Sequence, residues 1–261
     1  MELDLSMFLI ICPLFFIADL IDAIGGGGGL ISLPACLIAG LPGHLAVGTN
    51  KLASSLGAIV STVRYYKGRK FDYYMALIGI ATAFIGAVIG AKIALYVDDV
   101  VFEVMLIVLL PLVAAYVLLK RDLEPKKNVR MSKRKQYIIV ALSTLFLGMY
   151  DGFYGPGSGT FLLLVYTGLA KMNILNAEAY AKLVNLTATL SSAIVFLING
   201  STVIPLGLAA AVFSMAGHYV GSGIAIRNGS KVVRTTILIV LGILLLKVMY
   251  NAGSYLFNYM F

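Results

Sequence analysis

Charged residues are scarce in this sequence. They make up only 12% of the 261 residues, whereas 60% are hydrophobic and the mean hydropathy is +0.95, which excludes an ordinary soluble globular protein. A helix needs roughly 20 apolar residues to cross the roughly 30 Å hydrocarbon core of a bilayer. The chain can therefore form about eight to ten crossings, with no room for a sizeable soluble domain. The sequence predicts an all-α polytopic membrane protein.

Cysteine and histidine are also rare, with two residues of each. Cys12 and Cys36 lie in apolar runs, where a thiol behaves as a small hydrophobe, so a disulfide framework is not expected. His44 and His218 have no second His or Cys at a chelating spacing, and no sequence feature supports a proton role for either. We therefore expect no metal site and no cofactor.

The apolar runs predict eight long helices and two short ones. The long helices are expected near residues 3–24, 45–66, 73–97, 100–119, 136–153, 177–198, 203–226 and 232–250. The short runs, 30–39 and 160–169, cannot span a bilayer alone, and each follows a glycine-rich break. We expect these two segments to be half-helices or return arms.

Basic residues cluster in three connections between the predicted helices, at 64–70, 120–135 and 227–234. By the positive-inside rule these connections face the cytoplasm, which places both termini outside the cell membrane. This topology signal accounts for the net charge of +8, so the expected surroundings are the lipid bilayer rather than nucleic acid.

The two halves of the chain repeat several features at nearly constant spacing. The matching positions are the glycines of the two breaks, 130 residues apart (Gly25, Gly27 and Gly29 with Gly155, Gly157 and Gly159), and a lysine and a G-x-x-x-G motif, 131 residues apart (Lys51, Gly86 and Gly90 with Lys182, Gly217 and Gly221). These matches indicate a duplication. They predict a first transmembrane repeat over 1–120, a basic cytoplasmic loop over 121–135 and a second repeat over 136–261.

The charges predict that the two repeats are inverted. The basic connection at 64–70 matches a neutral one near Asn199, and the acidic pair Asp98 and Asp99 matches the basic segment 227–231. Each half has an odd number of segments, four long transmembrane helices and a short glycine-broken arm, which also inverts the second copy. Inverted repeats with interrupted helices are typical of secondary transporters, whose sites lie near the bilayer midplane.

The two glycine breaks are the candidate binding site. Irregular backbone at membrane depth is tolerated only where protein buries it or where it lines a cavity. The short helix after each break directs unpaired N–H groups and the positive end of its dipole at the break, which favours an anion. The candidate substrate-binding residues are Gly25, Gly26, Gly27, Gly28, Gly29, Ser32, Thr49, Asn50, Lys51, Gly155, Gly157, Ser158, Gly159, Thr160, Lys182 and Asn185. The alternatives are snorkelling for the lysines, and backbone hydrogen bonding or helix packing for the hydroxyl and amide groups.

Three acids precede the breaks, Asp19, Asp22 and Asp151. They could carry coupling protons, act as counter-ions to the lysines, or accept hydrogen bonds from exposed backbone N–H groups. Tyr150 and Asp151 resemble one half of the motif of intramembrane aspartyl proteases, but the other half, Gly-x-Gly-Asp, is absent. An enzyme is therefore not expected.

The first glycine break belongs to a longer signature. The segments 22–34, 40–42 and 46–50 resemble the first-repeat signature of the sulfite exporter TauE/SafE family, and the resemblance covers nearly the whole chain. It implies a secondary transporter of anions such as sulfite, sulfoacetate or other organosulfonates, with both glycine-rich segments in the substrate path. The second half departs from the pattern, with Gly-Pro-Gly-Ser-Gly at 155–159 and Leu164 in place of a proline, which favours a changed substrate.

The expected function is therefore that of a secondary transporter, which moves a small anion, sulfite or an organosulfonate, through a midplane site between the repeats. An uncoupled anion channel of the same fold is the alternative, and an accessory protein with no flux of its own is a third reading. A transporter should show saturable counterflow, whereas a channel should show conductance without stimulation by exchange. The sequence leaves open whether protons are coupled to transport and whether the chain forms a homo-oligomer.

Overall fold

The computed structural model describes residues 3–67, 72–98 and 131–229, with short stretches at 231–233 and 235–236. The helices of the three main ranges are α1 (Leu5–Gly25), α2 (Gly29–Ile38), α3 (Gly43–Tyr66), α4 (Tyr73–Ala94), α5 (Lys133–Phe153), α6 (Ser158–Gly168), α7 (Ile174–Ile198) and α8 (Ile204–Asn228). The predicted helices near 100–119 and 232–250, and the predicted boundary between the repeats at 120, lie outside the described residues.

The prediction of an all-α membrane architecture is confirmed for this part of the chain. Five of its helices, α1, α4, α5, α7 and α8, are long and apolar enough to cross a membrane. Helix α3 is also long, but it carries buried polar residues such as Asn50, Lys51 and Ser55. The ends of the observed helices agree with the predicted ends to within a few residues. Helix α5 begins at Lys133, inside the segment predicted to be a loop.

Large apolar side chains cover the outside of the helix bundle. Examples at least two-fifths exposed are Leu9, Ile17, Leu77, Phe84, Phe146 and Leu208. So much exposed apolar surface would be unfavourable in water, but lipid tails solvate it readily. The inner faces of the helices are instead rich in alanine and glycine, which let the backbones approach closely.

The G-x-x-x-G motif of α8 packs against the backbone of α1. A Cβ atom added to Gly217 would lie 2.4 Å from the carbonyl oxygen of Phe16, and one added to Gly221 would lie 2.2 Å from that of Leu20. Both distances are shorter than any non-bonded contact allows, so only glycine fits at these positions.

The equivalent motif of α4 makes the same kind of contact with α5. A Cβ atom on Gly86 would lie 2.2 Å from the carbonyl oxygen of Leu145, and one on Gly90 would lie 1.9 Å from that of Met149. The first half of the chain thus supplies α4 to a helix of the second half, and the second half supplies α8 to a helix of the first.

An alanine at Gly90 should push α4 away from α5, and an alanine at Gly221 should push α8 away from α1. We expect Gly90→Ala and Gly221→Ala each to lower the free energy of unfolding by about 1–3 kcal/mol, because the clash with backbone outweighs the better helix propensity of alanine. Gly207→Ala is the control, since its Cβ would meet only the movable side chain of Leu52. Equilibrium unfolding in mixed micelles of detergent and dodecyl sulfate measures the three values. Equal values for all three variants would contradict the prediction.

The short helix α6 turns back toward the side of the bundle on which α5 begins. The side-chain nitrogen of Gln136, near the start of α5, donates a 2.9 Å hydrogen bond to the carbonyl oxygen of Ala170, just after α6. Eleven residues of helix extend about 16 Å, roughly half of the hydrocarbon core. Helices α5 and α6 therefore form a hairpin with its glycine-rich tip near the middle of the bundle.

Asp72 joins three helices on the same side of the bundle. Its Oδ1 accepts a 3.3 Å bond from the Met75 N–H and caps α4, while its Oδ2 pairs with Lys133 and accepts a 3.0 Å bond from the Tyr137 hydroxyl of α5. Its backbone N–H donates to the hydroxyl of Tyr180 on α7, at 2.6 Å. The Lys133 ammonium beside Asp72 holds the pKa of that carboxyl below its usual value.

Candidate functional site

The two glycine breaks meet in the centre of the bundle. A Cβ atom on Gly26, whose φ is +78°, would lie 2.4 Å from the backbone nitrogen of Thr160, and one on Gly29 would lie 3.2 Å from the Cα atom of Pro156. The Thr160 hydroxyl donates a 3.1 Å hydrogen bond to the carbonyl oxygen of Gly25. The absence of side chains at these glycines therefore allows backbone to pack against backbone where α2 and α6 begin.

Lys51 of α3 reaches the second break. Its Nζ lies 3.0 Å from Oδ2 of Asp151, and the two side chains are only 3% and 4% exposed. The same carboxylate accepts hydrogen bonds from the hydroxyls of Ser158 and, at 3.2 Å, Thr189. A Cβ atom on Gly155 would lie 2.4 Å from the Lys51 ammonium, so the glycine at this position leaves the space in which the ion pair forms.

Lys182 of α7 makes the corresponding contact with the first break. Its Nζ lies 2.7 Å from Oδ2 of Asp22 and also donates to the backbone carbonyl oxygen of that residue. Oδ1 of Asp22 accepts a 3.0 Å bond from the N–H of Gly28, immediately before α2. Glu178, one turn before Lys182, brings Oε1 to 3.8 Å from the same ammonium. The Asp22 carboxylate thus lies at the helix end where the sequence predicted an anion.

Both lysines are therefore held inside the protein and do not reach the membrane surface. Each pairs with the acid that precedes the glycine break of the other half of the chain. Of the roles that the sequence left open for Asp22 and Asp151, the geometry is that of counter-ions, and Asp22 also accepts a backbone N–H. Burial of a charge is costly unless a partner compensates it, which explains the pairing.

Asp19 lies in the same region, but no lysine of the described residues pairs with it. Its Oδ1 accepts a 3.4 Å bond from the Ser54 hydroxyl and lies 3.7 Å from Nε2 of His218. Asp19 and His218 are each 1% exposed. Among the described residues, Oδ2 of Asp19 and both ring nitrogens of His218 have no hydrogen-bond partner.

A cavity of about 30 Å³ lies between the two glycine breaks, beside Asp19 and His218. Its lining consists of Asp19, Asp22, Gly27, Gly29, Asn50, Lys51, Ser54, Asp151, Gly155, Gly157, Ser158, Gly159, Asn185, Thr189 and His218. Twelve of these fifteen were candidate site residues in the sequence. The volume admits about one or two water molecules.

The remaining candidates lie elsewhere. Gly25, Gly26, Gly28, Ser32, Thr49, Thr160 and Lys182 do not line the cavity. The Ser32 hydroxyl donates to the carbonyl oxygen of Gly28, the residue just before its own helix, and the Thr49 hydroxyl accepts a 3.0 Å bond from the N–H of Val203. Gly25, Gly26 and Thr160 form the contact between the breaks, and Lys182 lies behind Asp22.

Three lining residues were not among the candidates, Ser54, Thr189 and His218. Helical periodicity does place the first two on the polar faces beside the two lysines, because Ser54 is one turn after Lys51 and Thr189 is one turn after Asn185. His218 gave no such signal, since its neighbour Asp19 belongs to a helix 199 positions earlier in the chain.

Comparison with known proteins places the chain in a family. The sequence profile described as "Sulfite exporter TauE/SafE" matches residues 11–248. A "Probable membrane transporter protein" of Haemophilus influenzae is 31% identical over 261 residues, which cover 98% of this chain and 100% of that protein. The "Probable membrane transporter protein YfcA" of Escherichia coli K12 is 31% identical over 247 residues, 94% of this chain and 91% of its own length. The "Probable membrane transporter protein ORF9" of Sinorhizobium is 35% identical over 230 residues, 86% of this chain and 85% of its own.

No solved structure matches the chain significantly. The family match spans both glycine breaks, both buried lysines and the basic central segment. The resemblance predicted from the first-repeat signature is confirmed, and the relatives are named as membrane transporters, in agreement with a multi-pass, non-enzymatic protein. The chain belongs to the sulfite exporter TauE/SafE family of membrane transporters.

Proposed function

We propose that this protein is a secondary transporter that moves a small anion, sulfite or an organosulfonate, across the cell membrane. The observation that carries the proposal is the reciprocal pair of buried ion pairs at the glycine breaks, Lys51 with Asp151 and Lys182 with Asp22. Ionisable groups within a membrane protein are costly to bury and are retained where a substrate or ion must pass. The family match and the names of the relatives support transport as the activity.

The reciprocal contacts support an inverted-repeat organisation. Each half contributes a lysine to an acid of the other half, and the two G-x-x-x-G motifs pack α4 against α5 and α8 against α1. A two-fold axis in the plane of the membrane would relate all of these contacts. In transporters built this way, the substrate binds at the interface between the repeats, and residues from both halves of this chain line its cavity, which supports the same location.

The orientation follows from the basic residues. Arg64 at the end of α3 stacks on the Tyr219 ring at 4.1 Å and lines a groove with Arg227, near the end of α8. Lys133 pairs with Asp72, only a short connection beyond α3. These three basic residues therefore lie on one side of the bundle, which we assign to the cytoplasm, with the amino terminus on the opposite side of the cell membrane.

The donors around Asp151 suit an oxyanion. The carboxylate is held by the Lys51 ammonium and by the hydroxyls of Ser158 and Thr189, all of which can donate to any anionic oxygen. Around Asp22 the donors are the Lys182 ammonium and the N–H of Gly28. A sulfite or sulfonate group presents three oxygens to such donors. In the proposed mechanism these donors bind the protein's own carboxylates when the substrate is absent, and they bind the oxygens of the substrate when it is present.

The small volume of the cavity supports a mechanism in which the site opens and closes during transport. About 30 Å³ holds one or two water molecules, so in the proposed mechanism the glycine-tipped hairpins move apart to admit an anion with several heavy atoms. A site that has to open supports alternating access between the two sides of the membrane rather than a permanently open pore.

Tracer counterflow in proteoliposomes tests the proposal. We expect labelled sulfite to exchange with saturation, and sulfoacetate to compete better than acetate or chloride, because the three oxygens of a sulfonate engage more donors than the two of a carboxylate or a chloride ion. Exchange should fall at least about tenfold in Lys51→Ala/Asp151→Asn, which removes both charges of the pair without leaving a buried carboxylate unpaired.

Lys92→Ala is the matched control, because Lys92 lies on a predicted membrane helix but is exposed on the outside of the bundle. Its exchange should equal that of the unmodified protein. Conductance without exchange would favour the channel, and the absence of flux with every anion would favour an accessory role. Either result, or full exchange in the Lys51→Ala/Asp151→Asn protein, would overturn the proposed mechanism.

A further inference from the structure

We propose that Asp19 is the group that binds the coupling proton, so that anion movement is driven by a proton gradient. The inference rests on the proposed transport function and deepens it, since it separates a proton site from the lysine-containing anion site. Asp19 lines the cavity, is almost completely buried and has one carboxylate oxygen without a hydrogen-bond partner among the described residues.

The charges around the cavity provide the first reason to assign the proton to Asp19. Asp22 and Asp151 are each compensated by a lysine, but Asp19 is an additional carboxylate, and Glu178 shares the ammonium of Lys182. With these groups ionised, the acids outnumber the two lysines. An entering anion would add further negative charge to a region with little access to water, which is strongly unfavourable. A proton bound at Asp19 offsets the charge of one monovalent anion.

The surroundings of Asp19 provide the second reason. The titratable and hydroxyl groups near it come from five helices: Asp22 of α1, Cys36 of α2, Lys51 and Ser54 of α3, Lys182 of α7, and Ser214 and His218 of α8. The two lysines are already engaged by other carboxylates. The Ser54 hydroxyl donates to Asp19 at 3.4 Å, and the Ser214 hydroxyl is a second donor beside this carboxylate, whereas Nε2 of His218, at 3.7 Å, is beyond hydrogen-bond distance. No cation is therefore dedicated to this carboxylate within the described part of the chain.

The repeat provides the third reason, because it contains no second copy of this site. The G-x-x-x-G contacts align Leu20 with Met149, so the position equivalent to Asp19 is Gly148. The residue that follows Gly217 is His218, and the residue that follows the equivalent Gly86 is Ala87. The lysine–aspartate pairs occur twice, whereas Asp19 and its histidine neighbour occur once. A site present in one half alone can carry a function that the two anion-binding halves do not share.

The proton step is simple. When the cavity opens to the more acidic side, hydronium gives its proton to Oδ2 of Asp19; one O–H bond forms on the carboxyl, one breaks in hydronium, and a water molecule remains. The anion then enters a site of lower negative charge. When the cavity opens to the other side, the anion leaves, the carboxyl O–H bond breaks and water accepts the proton.

Gradient-driven uptake and exchange at equal pH separate the two sites. With a more acidic exterior, proteoliposomes should accumulate labelled sulfite, after subtraction of passive entry into protein-free vesicles. We expect Asp19→Asn to lose this accumulation by about tenfold or more, while counterflow at equal pH on both sides, which needs no net proton movement, continues. Asp98→Asn, which removes an exposed carboxylate at the far end of α4, should retain both activities.

Accumulation by Asp19→Asn at the level of the unmodified protein would overturn the inference, and so would loss of exchange in a variant that remains monodisperse. Absence of exchange in the unmodified protein would instead contradict the proposed function. A second measurement needs no variant, because dicyclohexylcarbodiimide modifies protonated carboxyls in apolar sites: the acid protonates a carbodiimide nitrogen, and the carboxyl oxygen adds to the central carbon of the reagent. Mass spectrometry should find it on Asp19, with labelling that decreases as the pH rises. Failure to label Asp19 at any pH would also overturn the inference.

Discussion

Lys182→Ala is expected to lower the free energy of unfolding by about 3–5 kcal/mol, because it leaves the buried carboxylate of Asp22 without its cation. The lysine side chain is 2% exposed, so water cannot replace the lost ammonium. Glu178 loses the same partner, at 3.8 Å, which adds to the cost. Equilibrium unfolding in mixed micelles of detergent and dodecyl sulfate, followed by circular dichroism, measures the change.

A double variant shows whether the unpaired charge is the cause. Lys182→Ala/Asp22→Asn removes both charges and should recover at least about half of the lost free energy, since an amide is far less costly to bury than a carboxylate. Lys133→Ala is the matched control, because its pair with Asp72 lies at the surface and should contribute less than about 1 kcal/mol. Equal effects of Lys182→Ala and Lys133→Ala, or additive effects of the two substitutions in the double variant, would contradict the role assigned to the buried pair.

The helices and the breaks could be predicted because their signals are local. Runs of apolar residues, glycine clusters and the lysines at matching spacing each occupy a short stretch of sequence, and that spacing predicted Lys51 and Lys182 to be equivalent. Lys182 also illustrates the limit. Its equivalence predicted a shared role, yet its ammonium lies behind Asp22 and does not line the cavity, because a side chain's direction depends on how its helix packs.

The partners of the charged residues could not be predicted from the same signals. Lys51 pairs with Asp151 and Lys182 with Asp22, contacts between residues at least 100 positions apart that depend on the packing of α3 and α7 against the hairpins. Local sequence leaves every combination of acid and lysine open. His218 shows the same limit, since it lies near Asp19 only because α8 packs closely against α1 at its G-x-x-x-G motif.

The pairing also changes how the anion site is understood. Two lysines and two helix ends suggested an anion site, and the structure places the protein's own carboxylates against the lysines and against the N–H of Gly28, just before α2. A lysine with no counter-ion would be strongly unfavourable whenever substrate is absent. Internal carboxylates therefore stabilise the empty protein, and the proposed substrate must compete with them. Such competition favours anions that can accept several hydrogen bonds at once over those that offer charge alone.

Gly155→Ala is expected to disrupt this arrangement through a single added methyl group. Gly155 has a φ of +102°, a conformation that alanine adopts only with strain of about 1–3 kcal/mol. Its Cβ atom would also lie 2.4 Å from the Lys51 ammonium. The lysine tip can move aside, but only by leaving Asp151, which would then be a buried carboxylate without its cation. We expect a total loss of stability of about 4 kcal/mol or more.

Gly40→Ala distinguishes backbone strain from displacement of Lys51, because Gly40 has a similar φ of +91° and no atom lies within 4 Å of its added Cβ. It should therefore show the backbone strain alone, and sulfite exchange should be unaffected. In the Lys51→Ala/Asp151→Asn background, Gly155→Ala should cost no more than Gly40→Ala, since the ion pair that it would disrupt is already absent. An undiminished cost of Gly155→Ala in that background would show that the methyl group acts on the backbone of the break and not through the ion pair. A reduced cost would show that Gly155 stabilises the protein by leaving room for the Lys51 ammonium, which is one of the donors proposed to bind the anion.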